Sequence, residues 1–571
     1  AQDGLAPSEG DPRFHQQMVF AVAMKTIRAF ERALGRTVLW SPRRLEQKRK
    51  SDAAEPRDEV YQPVDRLRIY PHALREPNAY YSPEKKALLF GYFRSSAQDT
   101  GASWVFTALS HDVIAHETTH AILDGLHRRY AEATSVDSLA FHEAFADIVA
   151  LMSHFTLGEA VYHAISKSGG RLDARTLMSG LAGQFGAATG RAGPLREAVD
   201  AKTGGVPDPT LLLSLTEPHE RGAVLVSAVF DAFLTIYRRR TADLLRIADI
   251  RPDTGAPRDL HPDLASRLTK EAAKSADHVL RMCIRALDYL PPVDVRFGEF
   301  LRAIVTADAD LVPDDPYGYR LAMVEAFRCR GILPTDCLSL AVDSLLWEPP
   351  DDGLTIDDIP GLNLNPAFVR DRAADKPSPL VRAQVAERAE ANRDAVAQWL
   401  RHSDGNAEKW QKACGVIFNM KLFDGKAPQT VLRWPGRNRG RPDTTPAVEV
   451  HQVRTTRRAG PDGQDIRQLV IEITQRRRGF FDRDSQAEQD RDAKGPARDE
   501  DFVFRGGATL IFDLLNGKLR YVIRKRINDD ARLEEQRDFL CVRQRLGTLG
   551  ITYGGGAGHS GEPFAMVHRG V

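Results

Sequence analysis

Apolar residues return every three or four positions over much of this chain, and elsewhere they alternate with polar ones. From Phe14 to Leu34 the spacing is that of an amphipathic helix. Between Val60 and Phe106 apolar positions alternate, with Pro and Asn breaks, as half-buried strands do. From about residue 137 to 345 the helical period dominates, so an almost wholly helical region is expected there. Trp347-Glu-Pro-Pro-Asp-Asp-Gly353 then interrupts the pattern and predicts a linker. Beyond it come an Ala-rich helix from Pro379 to Arg401 and strands around Val448–Val453 and Gln468–Gln475. A hairpin is expected over Thr509–Ile523, with Asn516-Gly517 as its two-residue turn. The pattern thus predicts an α+β protein: a disordered lead (residues 1–13), a mixed lobe (14–130), a helical lobe (131–346), a linker (347–376) and an α+β accessory domain (377–571).

Composition narrows the partners. Over 571 residues, 79 Lys and Arg balance 78 Asp and Glu, so no global field draws the chain to nucleic acid or membrane. No apolar run reaches the length of a membrane span, and the first ten residues lack the basic and apolar regions of a secretory signal. The five cysteines form no C-x-x-C pair and their odd number argues against a disulfide framework, so a reducing cytoplasm is the expected setting, with secretion left open. One region is locally basic: Arg433, Arg437, Arg439, Arg441, Arg454, Arg457, Arg458 and Arg476 to Arg478 lie near Trp434 and Phe480. Such clusters can bind phosphates, but Asp482, Asp484, Glu488 and Asp490 offset this one, and solvated faces are the commoner outcome. A flexible tail is expected at Gly554–Gly558, and oligomeric state is not legible.

The chemistry is concentrated in His111-Asp-Val-Ile-Ala-His116-Glu117-Thr-Thr-His120. On a helix, His116 and His120 share a face one turn apart, so two neutral imidazoles can converge on one ion while Glu117 reaches a bound water. Val113, Ile114, Ala115, Ala121, Ile122 and Leu123 supply the apolar flank of a buried helix. A second apolar helical run, Ser138 to Met152, carries Glu143 and Asp147 at i and i+4. A catalytic zinc takes three protein ligands and keeps one position open, and Glu143 fits the third place. Asp147, one turn on, is placed to accept the free ring N–H of a ligating histidine.

H-E-x-x-H followed by a helix bearing E-x-x-x-D resembles the gluzincin metallopeptidases, and among them the thermolysin family. Asn78-Ala79-Tyr80-Tyr81 before the run Ala87–Phe93 is similar to that family's substrate-binding edge strand, and Phe297–Gly331 to the helices closing its second lobe. The resemblance implies a two-lobed metallopeptidase, with a mixed N-terminal lobe and a helical second lobe, that cuts peptides with one zinc ion. It makes Glu117 the general base, gives Asn78 and Ala79 to the substrate, and offers His219 and Tyr130 as donors to the oxyanion. His142 and Asp124 join Asp147 as residues expected to hold the ligand rings, with His142 alternatively a competitor for the metal. The likeness has departures. Glu143 follows His120 by 23 positions (143 − 120), about three more than usual, and His142 stands where the family commonly has Asn. Asp112 matches a calcium-binding position, but the carboxylate expected to join it falls on His154, which speaks against calcium. Metzincins are excluded because Gly125 and His127 fall at the wrong intervals after His120, and His127 is expected at the surface. No G-x-M-E-N stretch points to an aminopeptidase. The alternative reading is a zinc-binding protein that cuts nothing and acts through its downstream domain, as a module for protein or nucleic-acid binding.

Overall fold

The structure is a computed structural model that describes residues 4–44, 61–95, 103–170, 172, 206–249, 260–350, 354–364, 379–402, 407–420, 427–433, 445–461, 463–491, 499–545, 564 and 568. Helix α1 (Pro12–Leu34) starts where Asp11 accepts from the Arg13 N–H and ends at Gly35, whose φ of 69° is the left-handed conformation that closes many helices. Ahead of it, Gln17 exchanges hydrogen bonds with both backbone groups of Leu5, and Glu9 O lies 2.9 Å from His15 Nε2. Leu5 and Glu9 are therefore tied to α1 by hydrogen bonds, unlike the disordered lead expected from composition.

Short strands β1 (Arg43–Arg44) and β2 (Tyr61–Gln62) pair with each other. The main sheet of this region runs β3-β5-β4, with β3 (Arg68–Leu74) parallel to β5 (Ala87–Arg94) and β4 (Ala79–Ser82) antiparallel to it; β6 (Trp104–Phe106) also pairs with β5. Strand β4 lies at the sheet edge, facing helix α2 (His111–Leu126). Helix α3 (Val136–His154) packs on α2, and at its start Ser138 Oγ accepts from the Ser135 N–H at 3.0 Å. Then follow α4 (Gly158–Lys167), α5 (Pro218–Ile247), α6 (Pro262–Ala286), α7 (Phe297–Leu311) and α8 (Tyr319–Arg328). Helix α5 comes close to α3 at Gly222, where a Cβ would meet Ala140 O at 3.0 Å. The missing side chain lets the first turn of α5 approach the middle of α3.

Downstream, α9 (Pro379–His402) and α10 (Ala407–Cys414) precede an antiparallel sheet of order β7-β8-β9-β10: Val448–Ala459, Asp465–Gly479, Phe502–Asp513 and Leu519–Lys525. Helix α11 (Arg483–Arg491) lies between β8 and β9, and α12 (Asp530–Arg545) follows the sheet. The β9–β10 connection differs from the expected two-residue turn. Asp513 N–H donates to Lys518 O, so the loop holds Leu514 to Gly517, and only Gly517 takes a positive φ, 72°. The Asp513 carboxylate explains the wider loop, since it accepts from the Leu515 N–H and the Asn516 amide.

The downstream region is not a loosely tethered module. Ile511 and Ile523 belong to the same apolar core as α1, α2, α3 and α5. Buried Asp288 receives both Arg36 and Arg458, and buried Asp294 receives Lys525 at 2.9 Å. Arg454 and Gln452 of β7 donate to Gly125 O, favourable charge and dipole at the C-terminal end of α2. Nor does the expected linker hold over its described part, because Leu354, Ile356 and Ile359 are buried in a core made by β7 to β10. Among the described residues no single helix is long and apolar enough to cross a membrane. The five cysteines are free.

Candidate metal centre

Four side chains converge between α2, α3 and β4: His116, His120, Glu143 and His568. His116 and His120 sit one turn apart on α2 with their Nε2 atoms 2.9 Å from each other. Glu143 on α3 brings Oε2 to 3.4 Å from His116 Nε2 and 3.6 Å from His120 Nε2. His568 completes the group, its Nε2 3.3 Å from the same Glu143 oxygen. The set is a His-rich, Glu-containing group that could hold a metal ion.

The second nitrogens of the two helical histidines are engaged, which leaves Nε2 to face the centre. His116 Nδ1 lies 3.0 Å from Asp147 Oδ1, as the i+4 spacing from Glu143 predicts. His120 Nδ1 lies 2.7 Å from His142 Nδ1. Burial lowers both His120 and His142, the latter to about 4, so the His142 ring is neutral. With its Nε2 turned to the centre, His120 donates from Nδ1 to His142 Nδ1. His142 is thus a ring-holding residue and lies outside the group of donors. Asp124 is not, contrary to the sequence expectation. Its carboxylate takes the Tyr81 hydroxyl at 2.7 Å and Lys86 Nζ at 3.0 Å, fastening the β4–β5 hairpin to α2.

Glu117 is buried beside this group, and its Oε2 accepts the Tyr81 backbone N–H at 2.8 Å. Burial raises its carboxyl above the usual range, against the pull of His568 and His116. Glu143 goes the other way: burial opposes its charge, but His120 and His568 hold it well below the usual carboxylate range. On the edge of β4, the Ala79 carbonyl and the Tyr81 N–H point the same way, as alternate residues of a strand must. Tyr81 N–H holds Glu117, while Ala79 O receives His568 Nδ1 at 2.9 Å. Asn78 is buried at the start of this edge.

His219, in the first turn of α5, reaches the group as expected, with Nε2 3.5 Å from Glu143 Oε2. Its Nδ1 lies 3.1 Å from the cap residue Glu217. Burial disfavours its charge, yet the Glu143 and Glu217 carboxylates raise His219 to about 10. Tyr130 does not reach the group. It is buried, stacked on His127 at 4.4 Å, and its hydroxyl donates to Pro291 O. His127 is buried too and pairs with Glu472 at 3.2 Å, because β8 covers a position that an isolated helix would expose.

A second cluster gathers His111, Asp112 and His154. His154 Nδ1 lies 3.2 Å and His111 Nδ1 3.5 Å from Asp112 Oδ1. Two imidazoles and one carboxylate are not the oxygen cage that calcium takes. Of the basic cluster, Arg457 pairs with Asp465, Arg458 with Asp288, Arg476 with Glu449, Arg477 with Asp490 and Asp530, and Arg478 with Glu500. Trp434, Arg437, Arg439 and Arg441 lie outside the described residues, as do Gly554–Gly558.

Sequence reasoning missed Phe564, His568, Glu217 and the role of the Tyr81 N–H. Glu217 had a readable signal, an acidic residue just before Pro218 at a helix start. His568 had none, since it stands 425 positions from Glu143 with no motif around it. No protein-family model matches the chain, and no curated protein and no solved structure matches it either.

Proposed function

We propose that the chain is a zinc-dependent endopeptidase that hydrolyses peptide bonds with Glu117 as general base. One observation carries this reading: a buried carboxylate that is not one of the converging donors stands beside them and is aimed by the Tyr81 N–H. A purely structural site has no use for such a base. The donor set suits zinc. Tetrahedral zinc with bonds of about 2.0–2.1 Å puts neighbouring donors roughly 3.3 Å apart, and the separations among His116, His120 and Glu143 are 2.9, 3.4 and 3.6 Å. Two imidazoles and a carboxylate on adjacent helices also match what the H-E-x-x-H and E-x-x-x-D pair implies, and kinship with the thermolysin family, two lobes included, belongs to the same proposal.

When bound, zinc supplies Lewis acidity that lowers the pKa of water and polarises the scissile carbonyl. The chain's own residues do the rest. Ala79 O and Asn78 hold the peptide along the edge of β4. Glu117 takes the proton from the attacking water and passes it to the leaving nitrogen as the C–N bond breaks. His219, with Nδ1 beside the Glu217 carboxylate, donates to the oxygen on which negative charge develops. Asp147 and His142 fix the ligand rings.

The test combines metal analysis with cleavage of an unbiased peptide pool. One zinc per chain is expected, with cleavage by the wild type and loss of cleavage but not of zinc in Glu117→Gln. Retained cleavage in that variant would remove Glu117 from its role. A second reading is favoured by His568, which gives the site a fourth protein donor, the closed arrangement of structural zinc. In that reading the chain cuts nothing, and the downstream region binds a protein or nucleic acid.

A further inference from the structure

Residues Phe564 and His568 come from the far end of the sequence, yet both sit inside the metal centre. Phe564 is buried, with its ring 4.4 Å from His120 at 27°, 4.9 Å from His142 and 6.2 Å from Tyr81. His568 then touches nearly every group that the proposed hydrolysis uses. Its Nε2 is 3.3 Å from Glu143, its Nδ1 is 2.9 Å from Ala79 O and 3.4 Å from Glu117 Oε1, and its ring lies 6.1 Å from that of His219.

Three things follow from that placement. His568 offers the group a fourth protein donor, where a hydrolytic zinc would keep a place for water. It takes the Ala79 carbonyl, the acceptor with which an extended peptide would pair on this strand edge. It also lies against the carboxylate that would receive the proton of that water. One imidazole therefore blocks water, substrate and base together, while Phe564 anchors it through the rings that His120 and His142 present. The other donors stand on two packed core helices, α2 and α3. His568 belongs to neither, so it can leave without dismantling them.

We propose that Phe564 and His568 act as an intramolecular inhibitor that keeps the hydrolase latent until they are displaced or cut away. This rests on the peptidase reading, and the closing experiment separates the two. The full chain is compared with His568→Ala, Phe564→Ala/His568→Ala and Glu117→Gln/His568→Ala, all loaded with cobalt(II) in place of zinc. The probe of an open ligand position is the visible spectrum on addition of acetohydroxamate; cleavage of the peptide pool is followed in parallel on the zinc forms. In the wild type the spectrum should not respond and cleavage should be slow. Both single and double substitutions should let the hydroxamate bind. A site competent in about 1–10% of molecules should gain roughly 10- to 100-fold in cleavage when the two residues are released, and the Glu117→Gln background should abolish that gain.

A site-specific protease sequence placed after Arg545, where α12 ends, gives a second route that alters no residue of the centre. Cutting the folded chain there should activate it to the same degree. A wild type that binds hydroxamate and cleaves as well as His568→Ala would overturn latency and leave the peptidase standing. A His568→Ala protein that binds hydroxamate but cleaves nothing would end the peptidase reading, and latency with it, while retaining His568 as a ligand. A variant that no longer holds cobalt would make His568 a structural ligand and overturn the proposal. Cleavage of the wild type's own chain next to Phe564 would make these residues a substrate instead of an inhibitor.

Discussion

His116 Nδ1 stands 3.0 Å from Asp147 Oδ1, joining α2 to α3 through one ring of the converging group. A carboxylate there accepts a hydrogen bond from the Nδ1–H, so that a neutral ring would turn its Nε2 lone pair toward His120 and Glu143. Asp147→Ala should weaken zinc binding by about 10- to 100-fold, because the ring loses both its tautomer and its orientation. Competition with a chromogenic chelator measures this. Unchanged affinity would show that α2 alone fixes the ring.

Tyr130 provides a contrast, since spacing suggested a role beside the oxyanion and the fold gives it another. Its hydroxyl donates to Pro291 O in a fully buried setting. Tyr130→Phe should cost about 1–2 kcal/mol of stability, because the carbonyl loses its partner where water cannot replace it. The activity of the same variant, freed of Phe564 and His568, should stay within about twofold of the parent. A loss of kcat at unchanged stability would restore Tyr130 to the reacting centre.

Asp294 joins the helical region to β10. Lys525 Nζ lies at 2.9 Å, Arg532 Nε at 3.6 Å and the Thr134 hydroxyl at 2.8 Å. Burial opposes the charge on Asp294, but the Lys525 and Arg532 cations hold its carboxyl far below the ordinary range. Burial also pulls Lys525 below its ordinary value, so the acid limb is governed by Asp294, which has two cations and a hydroxyl on it. In the unfolded chain an Asp takes up its proton near pH 4, whereas the folded carboxylate keeps its charge to lower pH. Unfolding therefore binds a proton in that window. This contribution to stability is complete above about pH 5 and falls away as the pH drops toward the folded value. Asp294→Asn, which suits the left-handed backbone at this residue, should cost about 3–5 kcal/mol near neutrality by leaving Lys525 buried without its partner. The same variant should show a flatter fall of Tm between about pH 5 and pH 2. Parallel Tm profiles for variant and parent would contradict this.

At the second cluster, His154 occupies the place where calcium would need an oxygen. About 10 mM calcium, an excess over the 0.1–1 mM dissociation constants of many extracellular calcium modules, should leave the Tm unchanged. A ligand present at 100 times its Kd would add about 2.7 kcal/mol, enough for a visible shift in a scanning calorimeter. A rise in Tm specific to calcium would mean that oxygens beyond Asp112 complete a site there.

The sequence by itself determined what lies within a few helical turns. The 3.6-residue period puts His116 with His120, and Glu143 with Asp147, on common faces whatever surrounds them, and the apolar flanks require both helices to be buried. The α+β class and the positions of most elements were legible for the same reason. The tertiary structure decided everything that depends on which surfaces meet. It turned Asp124 to Tyr81 and Lys86, hid His127 and Tyr130 beneath the downstream sheet and Pro291, and folded residues 354–364 into a core. It also brought His568 to Glu143 across 425 positions. Local spacing carries no record of such a meeting, because the register between distant segments is set by how their buried faces pack and not by the period of either one.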